Sequence, residues 1–312
     1  MRNRPDQADS PVAVSEWEQG PASSDRKIGK LRRLGPTGLW PTLFTLGNLI
    51  SGFAAIYCAT RPLDSAGFWG WTSLTMACAL ILLGMVLDSV DGSVARMTGG
   101  VTEVGGQLDA LADLITFGVA PAFIMLHIVS NGLGLEEGVS IFNPGTGNVI
   151  GRVCWGVAAL YVCCAALRLA RFTVQTAAGQ LGDHMTFVGL PSPGAAGLIA
   201  STVLLHQHLG KILEPIGIVS GLIGFITILV PIFTFITALL MISSIRYPHM
   251  ANRFLRVNRS FGHTAWIAVA IIFFFVWFQE TLAIIFLCYA ASGPVRVLVS
   301  RIRAFPGTPA SG

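Results

Sequence analysis

Long apolar runs alternate with short polar or basic connectors along most of the chain, and each run is long enough to cross about 30 Å of hydrocarbon as a helix. They fall near 39–60, 69–94, 105–130, 152–174, 190–209, 215–244, 261–278 and 281–300. The last two come from dividing one long run at Gln279-Glu280, a pair that a single helix would not comfortably carry at mid-membrane. The pattern predicts an all-α, polytopic membrane helix bundle of about eight transmembrane helices. Residues 1–37 have no apolar periodicity and read as a disordered cytoplasmic tail, 38–248 as the main membrane domain, 249–303 as a C-terminal transmembrane hairpin and 304–312 as a second tail.

Composition agrees with a chain whose solvent is lipid. Of its 312 residues 53% are hydrophobic and 12% charged, against about a quarter charged in soluble domains. Lys and Arg then set the orientation. With the N-terminus inside, the inner side holds the N-tail cluster, Arg96, Arg168, Arg171, Arg246, Arg253, Arg256, Arg259, Arg296, Arg301 and Arg303, and the outer side only Arg61, Arg152 and Lys211. An even number of spans with both termini cytoplasmic satisfies that asymmetry.

The tail is not a secretory signal, because no apolar run closely follows an early basic cluster. Lys27, Lys30, Arg32 and Arg33, interleaved with Ile28, Leu31 and Leu34, read either as a short basic helix on an anionic membrane surface or as a solvated juxtamembrane segment. The segments Asn131–Gly151 and His206–Glu214 read as outer connectors. The six cysteines all fall within predicted spans without metal-ligand spacing, so they read as small apolar residues. His206-Gln-His208 lies on the outer side without further candidate ligands. Nothing in the pattern points to nucleic acid as a partner.

Candidate chemistry is concentrated between Asp88 and Asp113. The stretch contains Asp88, Asp91, Gly92, Ala95 and Arg96, then Gly105, Asp109 and Asp113. Ionised groups within apolar segments are rare and usually functional. Asp88 and Asp91 are three apart, with Gly92 and Ala95 continuing their helical face; Asp109 and Asp113 are four apart, with Gly105 one turn earlier. Two successive helices thus present acidic, small-residue stripes. Two carboxylates ~5 Å apart at an effective dielectric of ~20 repel by about 3 kcal/mol. One or two divalent cations would remove that repulsion, and an all-oxygen ligand set suits Mg²⁺, Mn²⁺ or Ca²⁺ rather than zinc or copper. The small residues leave room for a bulky or phosphorylated ligand. Two other readings stay open on residues alone: a cation or proton pathway in a transporter, and a helix-packing motif with incidental acids.

The arrangement D-x2-D-G-x2-A-R-x8-G-x3-D-x3-D resembles the signature of the CDP-alcohol phosphatidyltransferases. Five further segments narrow the resemblance: Pro41 to Phe53 (with Thr45 and Asn48), Ala112 to Ala122, Ala166 to Phe172, Gly189-Leu-Pro-Ser192-Pro to Gly197, and Ser243 to Pro248. Together they are similar to the phosphatidylserine synthase branch from about Pro41 to Pro248, with departures at Thr42, Ser93, Ala110 and Thr173, none of them an acid. The resemblance implies an integral membrane enzyme of a bacterial-type cell membrane with its active site on the cytoplasmic side. It would transfer a phosphatidyl group from CDP-diacylglycerol to L-serine, release CMP, and pair as a homodimer.

The implied residue roles follow. Asp88, Asp91, Asp109 and Asp113 would hold two Mg²⁺ or Mn²⁺ ions, with Asp113 also the general base on the serine hydroxyl. Gly92, Ala95, Arg96, Gly105, Thr45 and Asn48 would bind the CDP donor. Arg96 would either steady a phosphate or cap the carbonyl end of its helix. An acceptor carrying a carboxylate calls for a fixed cation, which Arg168, Arg171 and Arg246 offer through paired hydrogen bonds, unless they only anchor the inner surface by snorkelling. Ser192 opens a helix whose N-terminus would attract an anion, or is a plain helix start. A phosphorylated acceptor, glycerol 3-phosphate or inositol phosphate, is the alternative within the same chemistry.

Overall fold

In the computed structural model of the protein, residues 36–61, 70–98, 103–132, 149–177, 187–212, 217–247, 274 and 276–303 are described. In chain order their elements are α1 (Pro36–Ala59), α2 (Ser73–Thr98), α3 (Glu103–Asp113), a π-helical segment (Leu114–Val119), α4 (Ala120–Gly132), α5 (Val149–Ala177), β1 (Phe187–Val188), α6 (Ser192–Ile212), α7 (Gly217–Ile242), β2 (Arg246–Tyr247) and α8 (Phe278–Arg303). The strands are two residues each, paired antiparallel as Phe187 with Tyr247 and Val188 with Arg246. The described architecture is otherwise wholly helical.

Among the described residues six stretches are long and apolar enough to cross a membrane: Pro41–Ala59, Ser73–Val94, Val104–Gly132, Val149–Val174, Gly221–Ile242 and Phe278–Ser300. The third runs through α3, the π segment and α4 without a break. Helix α6 is 21 residues, about 31 Å at 1.5 Å per residue, but it carries Ser201, Thr202, His206, Gln207, His208 and Lys211. Packed against α2, α7 and α8, it encloses these side chains apart from Lys211, which is exposed.

Two sequence expectations shift. The connector expected at His206–Glu214 is helical as far as Ile212, because neighbouring helices satisfy its polar side chains: His206 Nε2 lies 3.0 Å from Thr227 Oγ1, Thr72 Oγ1 donates to Gln207 Oε1 at 3.0 Å, and Lys211 Nζ donates to the Gly70 carbonyl at 3.0 Å. The expected span 261–278 lies outside the described residues apart from Phe274 and 276–278. Helix α8 begins at Phe278, so Gln279-Glu280 sits in its first turn. The two tails lie outside the described residues except for Pro36 and Thr37, which begin α1. The cysteines are all free and lie in the helices, Cys78, Cys154 and Cys164 buried and Cys163 and Cys288 exposed.

Lipid tails are as apolar as leucine, so close packing at small residues holds such a bundle together. Helix α8 docks on α6 where Gly194 and Gly197 meet the rings of Tyr289 and Phe286, while Gly293 meets Tyr247, whose hydroxyl donates to the Ala290 carbonyl at 3.1 Å. The entry to α6 is set by Gly189 at φ +88°, a left-handed conformation that glycine adopts without strain. The neighbouring backbone N–H groups are taken up inside the protein: Gly189 N donates to the Ile245 carbonyl at 2.8 Å and Leu190 N to the Leu240 carbonyl at 3.0 Å. These contacts bring the start of α6, the end of α7 and the C-terminal half of α8 to one end of the bundle.

Candidate metal centre and active site

The acids come from the last turns of α2 and from α3, and α1 lies along both. Asp88 and Asp91 of α2 and Asp109 of α3 each offer a carboxylate oxygen within 4.8 Å of the other two. The helical spacing read from the sequence therefore makes one cluster. Asp113 does not belong to that trio; it is one turn further along α3, where the Asn48 side chain of α1 donates to its Oδ1 at 3.0 Å. Asp91 is held from the same helix, its Oδ2 lying 3.0 Å from the Thr45 hydroxyl, which is also 3.0 Å from the Pro41 carbonyl.

Three like charges at this separation are self-repelling by about 3 kcal/mol per pair at an effective dielectric of ~20. Among the described residues, no basic side chain forms an ion pair with any of them; the ion pair present, His208 with Glu280, lies at the other end. Asp109 Oδ1 is buried without a hydrogen-bond partner. An unpaired buried carboxylate oxygen facing two more carboxylates fits a hard divalent cation, because such ions take oxygen ligands from carboxylates and supply the missing positive charge.

The helices approach closely just behind the acids. A Cβ added to Gly84 of α2 would lie 2.6 Å from Thr116 Cγ2 and 2.9 Å from both Asn48 Oδ1 and Ser51 Oγ; one added to Gly52 of α1 would collide with Thr116. Thr116 belongs to the π segment that starts directly after Asp113, and its hydroxyl donates to the Asn48 carbonyl at 2.9 Å. From the opposite side the buried Tyr161 hydroxyl of α5 donates to the Phe117 carbonyl at 2.9 Å. Thr116, Tyr161, Gly52 and Gly84 were not singled out in sequence. The available signal was a lone threonine or tyrosine in a buried apolar run, and glycines one turn from a polar residue on neighbouring spans.

Of the predicted acceptor residues, Arg168 and Ser192 meet: Arg168 Nη1 donates to Ser192 Oγ at 2.9 Å, and Arg168 Nε is buried without a partner. Arg168 also lies within electrostatic reach of Asp113. Arg171, one turn on, is exposed. Gly92 and Gly105 lie on the helices that carry the acids. Ala95, Arg96 and Arg246 have described backbones, in α2 and β2, and their side chains lie outside the described residues. Among the described residues His206 and His208 take separate partners, Thr227 and Glu280.

An all-helical bundle with six membrane-length apolar stretches and three clustered carboxylates from two successive spans defines an integral membrane protein with an acidic site at one end. Comparison with known proteins gives that class its family. The CDP-alcohol phosphatidyltransferase profile matches residues 39–233, from α1 through most of α7. The chain is 34% identical over 217 residues to the CDP-diacylglycerol–serine O-phosphatidyltransferase of Helicobacter pylori (strain J99), covering 69% of this chain and 74% of that one. It is 30% identical over 209 residues to the Bacillus subtilis protein of the same name, covering 67% of this chain and 89% of that one. To the archaetidylserine synthase of Methanothermobacter thermautotrophicus it is 33% identical over 213 residues, covering 67% and 70%. The chain belongs to the CDP-alcohol phosphatidyltransferase family of transferases.

Proposed function

We propose that the protein transfers a phosphatidyl group from CDP-diacylglycerol to L-serine, yielding phosphatidylserine and CMP, at a cytoplasmic-side site that uses Mg²⁺ or Mn²⁺. The observation that carries this reading is the convergence of the acids: Asp88, Asp91 and Asp109 come within 4.8 Å of one another, and Asp113, one turn on and hydrogen-bonded by Asn48, lies within their electrostatic reach. The relatives named for serine as acceptor support the choice of alcohol.

Bound divalent cations would neutralise charge on the donor's pyrophosphate oxygens and on departing CMP. Asp88, Asp91 and Asp109 would hold them. Asp113 accepts the proton of the acceptor hydroxyl as that oxygen forms its bond to the phosphorus bearing diacylglycerol, and the bond from that phosphorus to the CMP oxygen breaks. Arg168, steadied on Ser192, presents a guanidinium to the acceptor's carboxylate. Its unpaired Nε supplies a further donor there.

The basic residues support the sidedness. At the carboxylate end stand Arg96, Arg168, Arg171, Arg246, Arg296, Arg301 and Arg303, and at the other Arg61, Arg152 and Lys211; an excess of Lys and Arg marks the cytoplasmic face. Tyr247 packs at the carboxylate end and Phe278 lies beside Gln207 and Lys211 at the far end. Those two positions differ by one crossing, which supports eight spans with both termini inside.

The test is CMP release from CDP-diacylglycerol by purified protein in detergent, with serine or glycerol 3-phosphate supplied separately and with chelator added. Serine-dependent release abolished by chelator is expected. Release that responds to glycerol 3-phosphate and not to serine would move the acceptor assignment, and release indifferent to chelator would remove the cations from it.

A further inference from the structure

Asp113 and Asn48 are joined twice. The Asn48 side-chain amide donates to Asp113 Oδ1 at 3.0 Å, and the Asn48 main-chain carbonyl accepts from Thr116, three residues beyond Asp113, at 2.9 Å. Ser51 Oγ donates to the same carbonyl at 2.7 Å. The π segment that follows Asp113 is fixed on its other flank by Tyr161, and single π turns within α-helices recur at functional sites.

Asn48 has 0% exposure, and its Oδ1 is buried without a hydrogen-bond donor. An unsatisfied buried carbonyl oxygen is costly, and an apolar side chain of the same shape would avoid it. The amide is oriented by what its N–H₂ does, since turning it over would set its oxygen against the Asp113 carboxylate. Gly84 closes the oxygen's side: a Cβ there would lie 2.9 Å from Oδ1. Asn48 therefore has no free face for a nucleotide.

From this geometry we infer that Asn48 is the positioning residue for Asp113, holding Oδ1 so that Oδ2 is presented to the acceptor hydroxyl. The inference deepens the reading of Asp113 as base and removes Asn48 from the donor-binding set expected from sequence. The π segment is the frame that ties base and positioning residue into one unit.

Asn48→Leu keeps the branched shape, with larger methyl ends, and deletes the amide. Assayed by CMP release in detergent, it is expected to lower kcat about 10²-fold, the scale of a reacting group displaced by about 1 Å. KM for CDP-diacylglycerol, KM for serine and the Mn²⁺ concentration giving half-maximal rate should each stay within about twofold of wild type. Thr116→Val, which removes only the hydroxyl holding the Asn48 carbonyl, should show the same pattern at about 3- to 10-fold in kcat, and it decides the question if Asn48→Leu does not fold. A KM for CDP-diacylglycerol raised with kcat intact would return Asn48 to nucleotide binding. A shifted Mn²⁺ dependence would place Asp113 among the cation ligands, and unchanged kcat in the folded variants would remove the positioning role. Wild-type protein unresponsive to serine would instead overturn the proposed function, so the two failures are separable.

Discussion

Both ends of this bundle bury polar side chains between helices, and they settle them in opposite ways. At the end away from the acids, unlike groups meet: His208 Nε2 is 3.3 Å from Glu280 Oε1, His206 meets Thr227, Thr72 meets Gln207, and Lys211 meets the Gly70 carbonyl. At the carboxylate end like groups meet, three carboxylates within 4.8 Å with Asp109 Oδ1 lacking any donor. The first arrangement stitches α6 to its neighbours by pairing each group with an unlike one, although Glu280 Oε2, like Asp109 Oδ1, has no hydrogen-bond partner. The second is stable with all three acids ionised only when positive charge arrives from outside. A polar cluster in a membrane protein is thus diagnostic by its internal balance, and an unbalanced one marks the place where a ligand completes the structure.

The sharpest way to break this contrast is to neutralise one acid. Asp109→Asn should lower the rate by about 10²–10³-fold or more, the scale of losing one electrostatic contact to developing charge. The same change should stabilise the cation-free protein, because it relieves two of the three repulsions, each about 3 kcal/mol at ~5 Å and a dielectric of ~20. A melting temperature at least about 2 °C above wild type without cation, and a smaller rise than wild type on adding Mn²⁺, would be seen by scanning fluorimetry in detergent. Identical melting of both proteins with and without Mn²⁺ would mean that the trio is not a cation site.

Next in size is the acceptor side, where two arginines one turn apart differ in setting. Arg168 is anchored on Ser192 with an unpaired Nε, and Arg171 is exposed. Removing a charge-assisted hydrogen bond costs about 1.5–3 kcal/mol, so Arg168→Ala should raise KM for serine by about 10- to 100-fold. Arg171→Ala should change it by less than about threefold. Equal effects in steady-state kinetics would erase the distinction between a substrate contact and an inner-surface anchor.

How much of this was legible beforehand follows the range of each interaction. Helix-period and length patterns act locally, so the spans and the pairing of Asp88 with Asp91, and of Asp109 with Asp113, could be read from spacing. Sequence could not reveal the contact between Asn48 and Asp113, because it joins side chains 65 positions apart on different helices. The π segment was hidden for a similar reason: Leu114 to Val119 reads as ordinary apolar helix, and the wider turn is held by partners on α1 and α5. The polarity of His206 and Gln207 suggests a solvent-facing connector, whereas Thr72 and Thr227 satisfy them within the bundle.

Packing behind the acids offers a smaller and purely structural test. Gly84→Ala places a methyl 2.6 Å from Thr116 Cγ2 and 2.9 Å from Asn48 Oδ1, and overpacking of this kind costs about 1–3 kcal/mol. Gly106→Ala, on the same helix as Asp109 with nothing within 4 Å, should instead be neutral to stabilising by up to about 1 kcal/mol. Melting temperatures of the pair, read together, report whether α1, α2 and the π segment touch as closely as described.

The smallest expected effect lies at the balanced end and completes the comparison. Glu280→Gln removes the charge that meets His208 while keeping the side chain's length. Both partners are partly exposed, at 29% for His208 and 31% for Glu280, so solvent screens the pair and its loss should cost about 1 kcal/mol or less. Turnover should be unchanged, because the pair sits at the opposite end from Asp109 and neutralising it relieves no repulsion. The direction matters more than the size: deleting a negative charge here lowers the melting temperature, whereas deleting one from the acidic trio raises it. If Glu280→Gln also stabilised the cation-free protein, the two ends would not differ in electrostatic balance, and Asp109→Asn would report general relief of buried charge instead of a vacated cation site.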